Sequence, residues 1–381
     1  MRIAVFAETF LPKVDGITRT LCRLLEHLQR ASHDTLLFAP DGAPARYAGA
    51  RVLGYPAFTC PWYTDLRLAT PRGTLSRELE EFQPDLIHVA SPLLLGAQGL
   101  RRARKMGVPV VASYHTDVPG YMAYYGFGAL REPSWAFFRW LHNQADLTLC
   151  PSTSTRRQLE ARGFERVEIW SRGVDTRQYA PERFSFEWRH RLSAGHPESP
   201  LLLYVGRLAV EKRLELLRPL FDRLPGIRLA LVGTGPAEAQ LRELFAGTAT
   251  EFLGHVEGDA LAAAYASADF FVFPSESDTF GNVVLEAQAS GLTVLAAGAG
   301  GPLDLVLHGD NGFLFTPGDV DDLARRLEWL IANPVFSYIV RRRARHSAER
   351  RSWDSVMAGL FAQYEGLVGT RRGVELRALA S

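Results

Sequence analysis

Short apolar runs alternate with stretches in which apolar residues recur every three or four positions along almost the whole chain. Runs at 3–7, 35–39, 51–55, 86–90, 110–114, 147–151 and 167–170 predict strands; between them 17–29, 74–82 and 135–144 have the spacing of helices with one apolar face. Strands covered on both faces read as continuous apolar runs, so the alternation predicts parallel sheets flanked by helices. The pattern breaks across 175–200, a polar stretch holding Pro181, Pro197 and a Gly195-His196-Pro197 turn, which predicts a linker. It resumes with runs at 201–206, 228–233, 251–253, 270–274, 293–297 and 312–315, so the second half predicts a second Rossmann-like unit. A final amphipathic stretch, 353–368, follows once that unit is complete.

Composition fits this division. A chain of 381 residues exceeds the size at which one core stops growing, and 47% hydrophobic residues can fill two. The expected domains are 1–174 and 201–352, joined by 175–200. A net charge of +1 argues against a nucleic-acid partner, which calls for a strongly basic face. Cys22, Cys60 and Cys150 are widely spaced without metal-ligand spacing, as expected of a reduced, cytoplasmic setting. The first apolar run is too short for a signal peptide, and no apolar stretch reaches the roughly 18 residues of a bilayer span.

The most informative segment runs from 269 to 291: an apolar strand, a polar turn, then an apolar-faced helix closed by Gly291. Gly281 removes a side chain where that helix begins, so backbone N–H groups and the positive end of the helix dipole face whatever lies above the sheet. An anion belongs there. Asp278 precedes this point and Glu286 follows eight positions later, about two turns into a helix starting near Phe280. Carboxylates accept hydrogen bonds from hydroxyls, so a phosphate cradle with an acid on either side suits a diphosphate carrying a sugar at each end.

The stretch PSESDTFGNVVLEAQASG resembles the paired-acid motif of the retaining, two-domain glycosyltransferases of family 4. The resemblance implies an α/β GT-B fold: two Rossmann-like domains facing a central cleft, with the C-terminal helix 353–368 crossing back to the N-terminal domain. In that family the first acid contacts donor-sugar hydroxyls, the following turn meets the diphosphate and the second acid holds the ribose. Those roles fall on Asp278, on Thr279, Phe280, Gly281, Asn282 and Val283, and on Glu286. The first acid is more often Glu in the family, so Asp278 leaves donor identity open.

The strand at 201–205 runs into Gly206-Arg207-Leu208-Ala209-Val210-Glu211-Lys212, which sets two cations at a strand's carboxyl end and the start of the next helix. Cations are disfavoured at a helix N-terminus, so a compensating anion is expected. The pattern is similar to the family's diphosphate clamp. Breaking a sugar–diphosphate bond builds negative charge on the leaving oxygen, which Arg207 and Lys212 would stabilise. Gly16, after the first strand, would let the backbone approach a phosphate. His115, at the end of another strand, lies beside the donor sugar in related enzymes. Thr234, Gly235 and Val256 match the loops that line the nucleotide base; Gly-x-Gly at 233–235 lacks a third glycine because Glu238 occupies its place, which argues against a nicotinamide or flavin.

Asp319-Val320-Asp321 has the form of a metal-binding triplet, but its place before a helical stretch predicts an N-cap, and no metal or cofactor is expected. Tyr121, Tyr124, Tyr125, Phe127, Trp135, Phe137, Phe138 and Trp140 crowd beside Arg131 and Arg139 and predict an acceptor pocket or an interfacial surface, with Phe58, Trp62, Tyr63 and Arg67 as a second candidate. Arg101, Arg102, Arg104 and Lys105 could meet anionic lipid, although a cationic last helical turn also satisfies the helix dipole. The resemblance lies closest to a clade of GDP-mannose-dependent alpha-mannosyltransferases and sulfoquinovosyl-diacylglycerol synthases. It implies retaining, metal-independent transfer of a hexose, with mannose from GDP-mannose favoured, to a lipid on the inner membrane face. UDP-sugar-dependent transfer to diacylglycerol is the alternative; an epimerase or a non-catalytic nucleotide-sugar-binding protein would share the same plan.

Overall fold

The computed structural model describes residues 1–379 apart from 14, 61, 62, 72 and 125. The chain forms two compact units, Met1–Arg172 with Asp354–Ser381, and Gly173–Trp353.

Unit 1 carries β1 (Arg2–Phe6), β2 (Asp34–Pro40), β3 (Arg46–Tyr47), β4 (Ala50–Tyr55), β5 (Ala57–Cys60), β6 (Tyr63–Ala69), β7 (Leu86–Val89), β8 (Val110–Ser113), β9 (Leu147–Cys150) and β10 (Val167–Ile169). Its main sheet runs β10-β9-β8-β7-β1-β2-β4-β3, parallel except for the β3–β4 edge pair. β7, β8 and β9 are buried at every position, as a strand covered on both faces must be. β5 and β6 form a separate antiparallel ribbon, which the sequence pattern did not predict because those residues lack a continuous apolar run. Because β1 lies between β2 and β7, the chain reverses its direction of travel there, and the carboxyl ends of β1 and β7 open a crevice.

Unit 2 repeats the plan with β11 (Leu201–Val205), β12 (Arg228–Val232), β13 (Thr250–Gly254), β14 (Phe270–Phe273), β15 (Thr293–Ala297) and β16 (Phe313–Phe315), ordered β13-β12-β11-β14-β15-β16 and all parallel. The corresponding crevice lies beyond β11 and β14. Residues 175–200 are not a linker. They fold into unit 2 as a short 3₁₀ turn (Pro181–Arg183) and a helix (Phe186–Leu192), with Tyr179 and Leu192 in its core. Pro181 and the polar residues there punctuate local structure rather than a domain boundary.

The C-terminal helix, Trp353–Leu379, extends beyond the expected 353–368 and belongs to unit 1. Tyr364 is fully buried, its hydroxyl 2.5 Å from His88 Nδ1, and His88 Nε2 lies 2.7 Å from Ser113 Oγ. Burial pushes the His88 pKa down to about 3, with Arg172 adding to the effect, so this buried bridge is neutral. Asp354, at the start of the helix, lies 2.9 Å from His27 Nε2.

Candidate functional site

The crevice of unit 2 gathers the charged residues. Beyond β11 the chain enters a 3₁₀ turn, Val210–Lys212, rather than the expected α-helix. Glu211 is completely buried and Lys212 nearly so, which contradicts any picture of the two as solvated first-turn residues. Glu211 forms an ion pair with Arg207, and Tyr204, itself buried, donates its hydroxyl to the Arg207 carbonyl at 3.0 Å. Lys212 Nζ donates to both carboxylate oxygens of Asp278 at 2.8 Å. Burial works against the Lys212 ammonium, yet Asp278, followed by Tyr204 and Glu211, holds its pKa above the ordinary lysine value. Both cations are thus neutralised by carboxylates of the chain itself.

Gly281 has φ +90°, a left-handed conformation that L side chains rarely adopt, and is the N-cap of the helix Asn282–Ala289. The helix therefore starts two residues later than expected. Phe280 is only 4% exposed and its ring belongs to the core of unit 2, so that residue can offer a ligand its backbone alone. Thr279, Asn282 and Val283 are half-buried. Gly301 N–H donates to the Asp278 carbonyl at 2.8 Å, which fixes the turn from the neighbouring loop. Glu286 points inward at 8% exposure and accepts from Tyr265 Oη at 2.9 Å.

The loop after β12 is braced against the loop after β11. A Cβ on Gly235 would stand 2.2 Å from the Leu208 carbonyl oxygen, so glycine serves close backbone packing there. Leu208 N–H donates to the Thr234 carbonyl at 2.9 Å, leaving Thr234 exposed beside the Arg207 turn. Val256 is half-buried against the core. Asp319 caps the helix Val320–Ala332 by accepting from Asp322 N at 2.9 Å, and Asp321 pairs with Arg223, so the acidic triplet is used by the fold.

Unit 1 offers a different surface. A cavity of about 430 Å³ lies beyond β1, β7 and β8, walled by Leu93, Val118, Met122, Phe127, Leu130 and Phe138. Polar groups also line it, among them Glu8, Thr9, Lys13, Asp15, Thr116 and His115. Asp15 caps the helix Gly16–Arg30 by accepting from Thr18 N at 2.8 Å, and Lys13 Nζ lies 3.5 Å from it. Gly16 is the exposed first residue of that helix. Asp117 accepts from Tyr114 Oη at 3.0 Å and from Gly120 N at 2.9 Å, fixing the turn from His115 into the helix Val118–Tyr124.

The aromatic cluster divides. Tyr121, Phe127 and Phe138 line the cavity, Trp135 is core, and Phe137 and Trp140 stand 48% and 60% exposed on the helix Arg131–His142. Tyr125 and Trp62 lie outside the described residues. Phe58 is exposed, and Arg67 is used within unit 1, donating to Asp41 Oδ1 at 2.5 Å. Arg104 donates to Gln144 Oε1 at 3.0 Å, and Gln144 Nε2 to the Trp140 carbonyl at 3.4 Å, so the cationic end of the helix Leu94–Met106 adjoins the aromatic face.

Two residues escaped the sequence reading. Glu8 follows β1 and is 1% exposed, with Oε1 accepting from Leu95 N at 2.6 Å and Gly96 N at 3.2 Å, and Oε2 from Ala69 N at 3.1 Å. Burial raises its pKa to about 7 despite those three bonds. A carboxylate at the end of a strand, in the same loop as Gly16, was the signal available. Arg172 is the other: it opens the stretch RGVDTRQYAP, which shares the resemblance, but no local spacing there gives the arginine a role.

These two crevices sit on a chain with recognisable relatives. Residues 14–178 match Glycosyltransferase Family 4, and residues 187–351 match Glycosyl transferases group 1. The chain is 41% identical to a GDP-mannose-dependent alpha-mannosyltransferase of Mycobacterium tuberculosis over 97% of its own length and 98% of that protein. The chain belongs to glycosyltransferase family 4. This glycosyltransferase is also 41% identical to the sulfoquinovosyl transferase SQD2 of Arabidopsis thaliana, over 92% of the chain and 71% of that protein. Among solved structures, a sucrose-phosphate synthase from Thermosynechococcus elongatus matches with a TM-score of 0.80 at 21% identity, covering 97% of this chain and 99% of that one. The Anabaena protein HepE in complex with UDP and glucose matches with a TM-score of 0.76 at 19% identity, covering 95% and 99%. At those identities the shared property of the glycosyltransferase is its GT-B fold of two Rossmann-like domains.

Proposed function

We propose that this glycosyltransferase moves a hexose, mannose from GDP-mannose, to the hydroxyl of a lipid or glycolipid with retention at the anomeric carbon and without a metal. The observation that carries the reading is the cradle of unit 2, where Arg207, Lys212 and the helix opened by Gly281 converge on one crevice. A diphosphate entering there exchanges partners with the resident carboxylates. Lys212 and Arg207 turn to the phosphates, and Asp278, released from Lys212, accepts from sugar hydroxyls. Glu286, oriented by Tyr265, accepts from the ribose.

As the anomeric C–O bond to the diphosphate breaks, its electron pair stays on the leaving phosphate oxygen, where Arg207, Lys212 and the helix N-terminus stabilise it. The acceptor oxygen attacks from the same face and its proton passes to that phosphate oxygen, so no side-chain base takes part. The cavity of unit 1 supports an acceptor with an apolar body and a hydroxyl head, because its lining is mainly apolar with a smaller set of polar groups. The exposed Phe137 and Trp140, with Arg104 linked to that face through Gln144, support contact with an anionic membrane surface. Among the described residues no helix is long and apolar enough to cross a membrane.

The 41% identity to a sulfoquinovosyl transferase, and 29% to an alpha-monoglucosyldiacylglycerol synthase of Streptococcus pneumoniae, favour a second reading: transfer from a UDP-sugar to diacylglycerol. Incubating the purified protein with radiolabelled GDP-mannose, UDP-glucose or UDP-sulfoquinovose and a bacterial lipid extract separates the two. Organic-phase label from GDP-mannose alone supports the first; label from a UDP-sugar alone replaces it with the second. Intact donor in every arm contradicts both.

A further inference from the structure

Arg172 is a buried cation that no carboxylate reaches among the described residues. At 5% exposure its guanidinium donates to the carbonyls of Trp170 at 2.6 Å and Ser171 at 3.2 Å, and to His115 Nδ1 at 2.7 Å. It also lies over the Trp170 ring, 4.8 Å from the centroid. Burial brings its pKa down to about 9, so the charge persists at neutral pH. An uncompensated buried charge is costly to a fold, and its retention calls for a use.

The use follows from donor chemistry. A guanidinium has hydrogens to give and no lone pair to receive with, so His115 Nδ1 must be the acceptor. A neutral imidazole accepting at Nδ1 carries its proton on Nε2. Desolvation and then the Arg172 charge hold the His115 pKa well below the usual histidine value; the neighbouring His88 and His142 are kept neutral by burial, each with a pKa of about 3. The other charged groups on this side of the cavity are Glu8, Lys13 and Asp15. His115 therefore stands at the cavity wall as a neutral donor polarised from behind by a fixed positive charge.

We propose that Arg172 is a positioning residue of the transfer reaction: it locks His115 as an Nε2–H donor to a substrate oxygen and bars it from acting as a proton acceptor. The kinetic half of this inference rests on the transferase reading; the tautomer does not. Two-bond ¹⁵N–¹H correlation spectra of histidine-labelled protein, with His115 assigned by loss of its signals in His115→Gln, report the ring state directly. The wild type should show the Nε2–H form unchanged between about pH 5.5 and 8. Arg172→Met should give a mixture of tautomers and lower kcat about 100-fold with little change in donor KM. Arg172→Lys, which keeps charge and donor, should recover part of both. An Nδ1–H or doubly protonated His115 in the wild type overturns the proposal even if no variant folds. A folded Arg172→Met with wild-type kcat overturns the positioning role. Absence of turnover by the wild type with every donor sinks the transferase reading while the spectrum still decides the tautomer.

Discussion

The two crevices occupy equivalent places in similar sheets, yet they are built in opposite ways. In unit 2 the groups that matter are charged and already paired with one another: Arg207 with Glu211, and Lys212 with Asp278. In unit 1 the cavity is mainly apolar; Glu8 is buried in backbone hydrogen bonds, Lys13 and Asp15 lie close to each other, and Arg172 is bonded to His115. A site made of paired charges holds its cations in place before the ligand arrives, ready to turn to an anion. A mainly apolar site instead selects by shape and tolerates little added charge. The contrast is the basis for the proposal that the nucleotide diphosphate binds unit 2 and the acceptor unit 1.

Removing the cradle's cations is the severest test of that contrast. Lys212→Ala and Arg207→Ala should each lower turnover about 10² to 10³-fold, the scale seen when one charge-stabilising donor is lost. Each change also leaves a carboxylate, Glu211 or Asp278, without its cation and so lowers the melting temperature; turnover is therefore compared at a temperature where circular dichroism shows the variant folded, and near-normal turnover in either variant would break the assignment.

Glu8 tests how far water is kept from the buried side of the cavity. Its folded-state pKa of about 7 lies above the unfolded value, so between about pH 4.5 and 7 the folded state binds more protons than the unfolded one. Wild-type stability, measured against Glu8→Gln by denaturant unfolding, should fall by roughly 3 kcal/mol as pH rises through that window. A flat difference would mean that water reaches the carboxylate.

Filling the cavity is a smaller perturbation with a sharper signature. Met122→Trp should raise KM for the lipid acceptor about tenfold while leaving nucleotide affinity unchanged. An equal loss of nucleotide binding would erase the division of labour between the units. Smallest is Tyr265→Phe, which removes one hydroxyl from Glu286; a hydrogen bond to a charged group is worth about 1.5–3 kcal/mol, of which solvent returns part, so nucleotide affinity should weaken severalfold. Unchanged affinity would remove Glu286 from the nucleotide site.

The same contrast explains what could be read from the chain alone. Asp278, Gly281 and Glu286 lie within one strand–turn–helix segment, and Arg207 and Lys212 within another, so their spacing carries their chemistry before any fold is known. Sheet strands were equally legible, because burial on both faces writes an unbroken apolar run. The cavity of unit 1 was only half visible. Phe127 and Phe138 come from one aromatic stretch, but Glu8, Leu93 and His115 are brought to it by three different strands, and no local spacing encodes that convergence. Arg172 was invisible because its meaning is a contact with a residue 57 positions away. The segment 175–200 misled for the opposite reason: proline and polar residues mark turns, and here the turns lie inside a packed unit around Tyr179 and Leu192.

Titration calorimetry of the purified protein with GDP and with UDP, repeated on Lys212→Ala, puts the partner exchange in the cradle of unit 2 to its most direct test. The account predicts saturable binding of at least one nucleoside diphosphate to the wild type, lost or weakened at least about tenfold in the variant. Binding of equal strength in both proteins, or none of either nucleotide to the folded wild type, would contradict it.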